Sequence, residues 1–590
     1  MLSMIFWTFS NVTERVSALR TRLHLFRLTR LRCFRLAEND YAASSRPYLT
    51  LEIRTSRKKH TRARPTEFYR IMSNSAAPER ALELHLSFPG DLCCLGSANC
   101  ETETKFLKKS TLMAAAASLY LHEFTQDLEW VNSAPISLSD LRGRVTLLYF
   151  WTGSSIHCQQ ALAEIKALEG KFIEGLCVIG VHTPKHSFET SSAVVLKTIN
   201  RWFIRHPVIN DSQWRLWRQF AIPAWPTALL LDAEGKVSGM FVGEGQKAAL
   251  EAKIGELIRE AAGKGIRSSE PAPIVKKPEP RTFLQFPSKL CASAERLYIA
   301  DTGHNRVLEA TFDGRVTRIF GSGNAGFWDG PAAEAGLREP TGICLGKDML
   351  FICDTGNHAI RRVRFLANDQ LDTLAGNGRQ GKSSPEDGPS STLMLASPTD
   401  CVLHQEKLFV SMAGRHQVWA FDLLRNNASL VAGSGEEGVA DGAMMAANFA
   451  QPAALALGKE FLYVLDASSS ALRQVRLNDL VATTLVGEGL YDCGDSDGPA
   501  SLAKLQHPSA ACFDHQRNVL WIADSYNNKI KIYSPSKNEV KTLNVNYKLH
   551  QPAGLTLADN ALWIANQNAH ELLRLDLKSG KLSRVPVGEV

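Results

Sequence analysis

The stretch "EPTGICLGKDMLFICDTGNHAIRRVRF", residues 339–365, decides the fold because it recurs. Five other stretches align with it, and all open on a proline: Pro287, Pro340, Pro398, Pro452, Pro508 and Pro552. The spacings are 53, 58, 54, 56 and 44 residues. Asp301, Asp354 and Asp466 each fall 14 residues after their proline, and Asp524 falls 16 after because of a two-residue insertion. Met412 and Asn566 take that place in the third and sixth copies. A second marker, "WDGP", "EDGP", "ADGA" or "SDGP", sets Asp329, Asp387, Asp441 and Asp497 each 11 residues before the next proline. Every copy reads as about four short strands, alternating or apolar, separated by turns. Such a unit cannot bury its own apolar faces, so six of them predict an all-β six-bladed β-propeller over residues 284–590.

The words "DTGNHAIR" and "LAGNG", followed by "DG", resemble the NHL repeat family. The resemblance covers essentially all of residues 284–590. It implies a propeller whose central-channel face is the usual ligand surface and whose partner is a protein or peptide. The repeated aspartates, and "YDCGDSDG" with Asp492, Asp495 and Asp497, raise a calcium reading. The run lacks the bidentate Glu and the spacing of an EF-hand loop. An Asp recurring beside glycine is expected to accept backbone N–H bonds in a tight turn. No metal and no cofactor is expected.

Outward from the propeller, "AGKGIRSSEPAPIVKKPEPRTF" (262–283) carries four prolines and reads as a semi-extended linker, placed at residues 263–283. Before it the pattern turns α/β. "VTLLYFW" (145–151) and "LCVIGVHT" (176–183) read as buried strands, and "CQQALAEIKALEGKF" between them as a helix. "WPTALLLDAEG" and "KVSGMFVG" add two strands, and "QKAALEAKIGELIREAAG" a closing helix.

This order resembles the thioredoxin-like fold, in its extended TlpA-like branch, over residues 113–262. "FWTGSSIHC" aligns without gaps to that family's F-W-x-x-x-C-x-x-C. Trp225, Pro226 and Thr227 match its x-P-T, which implies a cis proline and a substrate-contacting loop beside the site. The family's chemistry needs a thiolate at a helix N-terminus, stabilised by the helix dipole and free N–H groups, with a resolving thiol three residues on. Here Ser155 holds the attacking position and Cys158 the resolving one. Tyr149 stands where the family places its buried proton-handling carboxylate. Dithiol exchange is therefore not expected, although His157 in its cationic form would lower the pKa of Cys158. The pattern S-x-x-C also resembles the peroxiredoxin motif, but Trp151 occupies that family's proline position.

Charge bounds the remaining readings. The chain has 590 residues and a net charge of +7. Residues 1–112 hold 19 Lys and Arg against 10 Asp and Glu, whereas residues 284–590 hold 29 against 33. The propeller is thus slightly acidic, and no nucleic acid is expected on it. "RVSALRTRLHLFRLTRLRCFRL" carries seven Arg and no acid. Residues 1–112 read as a disordered leader, with Met113 as an internal start, or as a mitochondrial-type transit segment. No run of 18 apolar residues exists, so no membrane span is expected. The twelve cysteines lie largely within apolar strand-like runs, which suits reduced thiols in a cytoplasmic setting.

Together the two domains resemble the NHL repeat-containing protein 2 family and its bacterial relatives. Members usually carry C-x-x-C, and the animal ones continue into a further β-rich region. Two functions are compatible with the residues. One is a protein-interaction scaffold with a degenerate thioredoxin-like domain. The other is a thiol-dependent redox protein, a monothiol oxidoreductase or peroxide sensor acting through Cys158.

Overall fold

The computed structural model describes residues 34–37, 49–53, 69–71, 124, 128–268, 282–365, 368–381 and 387–588. The chain divides into two units, Met1–Lys105 and Phe106–Val590. In the first, strands β1 (Phe34–Ala37), β2 (Leu49–Ile53) and β3 (Tyr69–Ile71) pair antiparallel in the order β1-β2-β3. The sequence reading did not anticipate them, since runs of three to five residues are too short to show a period. The leader, transit-segment and linker readings otherwise fall on residues outside those described.

The second unit begins with the expected α/β domain. Its sheet comprises β4 (Glu129–Trp130), β5 (Val145–Trp151), β6 (Leu176–His182), β7 (Val208–Asn210), β8 (Thr227–Leu231) and β9 (Val237–Val242), in the order β4-β7-β6-β5-β8-β9. Strands β5, β6 and β7 run parallel, while β8 and β9 continue antiparallel. All seven residues of β5 are buried, as a strand covered on both faces requires. One face packs on helices α2 (Ile156–Lys171), α3 (Ser192–Arg201) and α5 (Lys247–Gly263) through Leu147, Ile165, Leu168, Val195 and Ile254. The other carries Leu148, Phe150, Ile179 and Leu229 against α1 (Leu138–Leu141) and α4 (Arg215–Gln219). This is the thioredoxin-like architecture the motifs implied.

Six blades follow, each an antiparallel meander. In blades 2 to 5 a two-residue strand from the preceding connector adds to the outer edge, as Gly330–Pro331 does on Gln370–Ala375. The glycine of the second sequence marker is therefore an edge-strand residue. Its aspartate ties that edge to the blade interior: Asp329 accepts from Arg361 Nη2 at 2.6 Å and from Thr373 Oγ1 at 2.9 Å. Asp441 repeats the arrangement with Arg473 and Thr484, and Asp497 with Lys531 and Thr542.

The first-marker aspartates occupy equivalent places, at the end of each second strand. They accept backbone N–H bonds as expected, but from the entry of the first strand rather than from their own turn, where side chains such as Asn357 and Asn527 meet them instead. Asp301, Asp354, Asp466 and Asp524 accept from the backbone N–H of Gln285, Arg338, Ala450 and Gln506, two residues before the opening prolines. They bind the end of the second strand to the entry of the first. Four residues beyond each marker position the chain takes a left-handed residue: Asn305, His358, His416, Ser470, Asn528 and His570. No group of His, Cys, Asp and Glu among the described residues is placed to hold a metal ion.

The ring closes where Leu290, Ile299 and Leu308 of blade 1 interleave with Trp563, Ala565 and Leu572 of blade 6. Its axis is crossed by a buried cation. Lys289 Nζ, on the inner strand of blade 1, donates to Asp400 Oδ2 of blade 3 at 3.1 Å and to the Ala453 carbonyl of blade 4 at 3.1 Å. It also donates to the Ser509 carbonyl of blade 5.

Candidate functional site

The thioredoxin-type site forms where β5 turns into α2. Ser155 is the N-cap, in extended conformation, and its hydroxyl accepts from the Cys158 N–H at 3.4 Å. Serine suits this task because its oxygen satisfies a first-turn N–H. The Tyr149 hydroxyl, fully buried, donates to the Cys158 carbonyl at 2.6 Å. Tyr149, directly before Phe150 and Trp151, thus holds the helix backbone.

Cys158 has no exposed surface and lies in the core cluster with Trp151, Leu162 and Leu230. Burial pushes its thiol up to about 12, against hydrogen bonds from the Thr152 backbone and the Ser155 side chain that favour the thiolate. The half-buried His157 ring is not a solvated helix side chain but pairs with Glu244 and with a propeller histidine. Its Nδ1 faces Glu244 Oε2 at 3.2 Å, and its Nε2 faces His416 Nε2 at 3.1 Å. Burial disfavours the His157 cation, but the Glu244 carboxylate prevails and the pKa is raised. His416 is lowered to about 4 by burial and by His157 beside it.

The Trp225–Pro226 peptide is cis, as the motif implied. The Trp225 ring lies tilted 4.5 Å from Trp217 and edge-on 5.2 Å from Trp214, and packs on the same core cluster as Cys158. The Thr227 hydroxyl donates to the Ala224 carbonyl at 2.7 Å, which pins the loop.

What the sequence did not reveal is that the propeller covers this site. The first turn of α2 docks on three blades. Ile156 N–H donates to Gln451 Oε1 at 3.0 Å, Gln159 Nε2 donates to Glu339 Oε2, and Gln160 Nε2 donates to Ser397 Oγ at 2.9 Å. Glu339, Ser397 and Gln451 are the residues just before the opening prolines of blades 2, 3 and 4. The equivalent residue of blade 5, His507, lies 5.9 Å ring to ring from His186. Blade 6 is joined by Arg201 Nη1 to Gln567 Oε1 at 2.7 Å and by Lys197 Nζ to His570 Nε2 at 2.9 Å.

Beside Cys158 sits a buried carboxylate, Glu189. It accepts from the Thr152 hydroxyl at 2.8 Å and from the N–H groups of Lys185 and His186. Tyr526 of blade 5 adds its hydroxyl at 3.4 Å, and Lys185 Nζ reaches Ser468 Oγ of blade 4 at 2.7 Å. Five of the six blades therefore touch the thioredoxin-like domain. The position before each proline carried the only sequence signal, a fixed place in a repeat filled by varied polar residues.

Residues 122–240 match the AhpC/TSA family. NHL repeat-containing protein 2 of Gallus gallus is 33% identical over 535 residues, covering 82% of this chain and 73% of that protein. The Homo sapiens protein of the same name is 32% identical over 521 residues, covering 80% and 72%. Protein SUPPRESSOR OF QUENCHING 1, chloroplastic, of Arabidopsis thaliana is 32% identical over 499 residues, 78% of this chain. The chain spans about half of that plant relative, 47% of its length.

Proposed function

The chain belongs to the NHL repeat-containing protein 2 family, and we propose that it acts as a protein-interaction scaffold whose thioredoxin-like domain has left thiol–disulfide exchange. The observation that carries this reading is the use of the helix terminus. In a redox thioredoxin the first-turn N–H groups and dipole stabilise a thiolate and its mixed disulfide. Here a propeller glutamine accepts from the Ile156 N–H, and the thiol of Cys158 is enclosed. Cys158 offers no exposed surface to a substrate disulfide.

Partners, a protein or peptide, would engage the propeller. Large apolar side chains are exposed on its connectors, among them Trp328, Met445, Tyr491 and Leu502. Exposed aromatic and methionine side chains are the residue types that anchor protein interfaces. A cytoplasmic setting suits the eight described cysteines, all free thiols. No helix among the described residues is long and apolar enough to cross a membrane.

The test compares two variants of the full chain in capture from lysate. Cys158→Ser should leave the captured set unchanged, whereas Trp328→Ala combined with Tyr491→Ala should reduce it. Loss of capture in Cys158→Ser, or Cys158-dependent reduction of insulin, would favour the redox reading instead.

A further inference from the structure

Away from the thioredoxin site, the propeller buries a row of sulfurs. Cys344 lies on the inner strand of blade 2 (Pro340–Leu345), Cys353 on its second strand (Met349–Asp354), and Cys401 on the inner strand of blade 3 (Pro398–His404). Cys353 and Cys401 belong to the apolar cluster filling the seam between these blades, and Cys344 packs against it. Cys344 Sγ donates to the Leu345 carbonyl at 3.7 Å, and the Cys401 thiol lies near enough to Cys344 and Cys353 for each to bear on its charge.

The inner strands run close enough for a bond. A Cβ placed on Gly342 would meet the Cα of Asp400 at 2.5 Å. Cys344 and Cys401 follow these two residues by two positions and one. Glycine at 342 is therefore the residue that lets the strands approach. A disulfide requires short Cα and Cβ separations, which only strands this close can supply.

Exposure gives the row a direction. Cys344 is partly exposed, while Cys401 and Cys353 are buried, at 2% and 0%. Cys512 occupies the inner strand of blade 5 in similar fashion, and no second thiol belongs to or packs on its cluster.

We propose that the seam between blades 2 and 3 is an oxidation site, at which Cys344 and Cys401 form a disulfide that staples two blades, with Cys353 as an alternative partner for Cys401. The oxidant is a peroxide. The Cys344 thiolate attacks the O–O bond, giving a sulfenic acid, and hydroxide departs and is protonated to water. The Cys401 sulfur then attacks the sulfenic sulfur and the S–O bond breaks. The oxygen leaves with the Cys401 proton as a second water. Two thiols lose two electrons and one peroxide gains them. Attack of Cys353 on Cys401 would move the disulfide inward and return Cys344 as a thiol, with no net oxidation.

The neighbouring Cys401 thiol, together with burial, raises the Cys344 thiol well above its ordinary value. The thiolate is scarce and the reaction slow, so an accumulating oxidant rather than a brief pulse sets the staple.

The full chain is treated with hydrogen peroxide alone, blocked by alkylation and mapped by mass spectrometry. The expected result is a peptide pair linking Cys401 to Cys344 or Cys353, lighter by two hydrogens and reversed by dithiothreitol. Cys401→Ser should abolish the link, and Cys353→Ser should keep Cys344–Cys401. If Cys401→Ser does not fold, the mapping of the unaltered chain decides. A Cys401 that stays alkylatable upon denaturation after prolonged oxidation would overturn the proposal, as would a Cys344 that oxidises only to the sulfinic acid.

Discussion

The backbone N–H of Ile156 donates to Gln451 Oε1 at 3.0 Å across the domain boundary. Ile156 opens the helix that would activate a thioredoxin cysteine, and Gln451 immediately precedes the opening proline of blade 4. One hydrogen bond thus spends on domain docking a group that redox chemistry needs. Ser155 and Gln451 satisfy successive parts of the same helix terminus, so a serine at the first motif position and the docked propeller are mutually consistent.

Restoring the motif should therefore restore the bond but not the enzyme. Ser155→Cys places a thiol where the helix geometry brings it to Cys158, and a disulfide between them is expected in the intact-protein mass under oxidising conditions. Insulin reduction with dithiothreitol should stay at background, because the blades still cover the pair. Adding Gln451→Ala should raise it above background. Full turnover by Ser155→Cys alone would show the interface to be open in solution.

Cys158 should be inert in the folded protein. With its thiol pushed up to about 12, the thiolate at pH 9 is on the order of one in a thousand. Iodoacetamide should leave Cys158 unmodified from pH 6 to pH 9 in the native chain, and label it at the rate of a free cysteine in denaturant. Native labelling that rises through pH 7 would contradict the buried geometry.

The cation on the propeller axis should matter more for integrity than for binding. Lys289 Nζ meets Asp400, which also accepts from the Leu455 N–H at 3.0 Å. Removing one member of a buried pair strands the other, which costs roughly 3–5 kcal/mol. Asp400→Ala should lower the urea midpoint accordingly. Lys289→Met combined with Asp400→Leu should recover a large part of the loss. A midpoint unchanged in Asp400→Ala would mean that the backbone carbonyls of Ala453 and Ser509 hold the lysine alone.

The repeat was legible because its signals are covalently local. Pro287 to Pro552 and the aspartates after them keep a register that any strand meander must respect, and the six blades follow from counting them. The partners of those aspartates were not legible. Asp354 accepts from Arg338, 16 residues back, and the sequence alone favours a bond within the turn. The departures from the redox motif were legible, since Ser155 and Tyr149 are read directly. Its cover was not, because Glu339, Ser397, Gln451 and His507 share a position in the repeat but no residue type. His157 shows the same limit. Adjacency to Cys158 in sequence suggested a charge effect, yet the ring turns to Glu244 and to a histidine of blade 3.

The domain interface should weaken in acid, and its histidines set the direction. His186 and His358 are lowered to about 4 by burial, and His416 to about 4 by burial and His157. His570 is lowered to about 4 by burial and Lys197, and His507 falls well below its ordinary value through burial and His186. Each is neutral when docked and takes a proton more readily when released. A lowered histidine contributes stability that is complete above about pH 6.5 and is lost as pH falls toward 4. His157 acts oppositely: its raised value favours docking below that pH, and the benefit fades as pH rises. The facing charges are Glu244, Glu437, Glu189, Lys185, Lys197 and Arg201, and both cations beside His186 and His570 oppose a second positive charge. Five lowered groups outweigh one raised group, so energy transfer between a dye on the thioredoxin-like domain and one on the propeller should fall between pH 6.5 and pH 4.5. It should recover on return to neutrality, and His507→Gln should flatten the transition. Transfer that stays constant over this range, with the protein still folded by circular dichroism, would mean that the docked interface accepts the protons without opening.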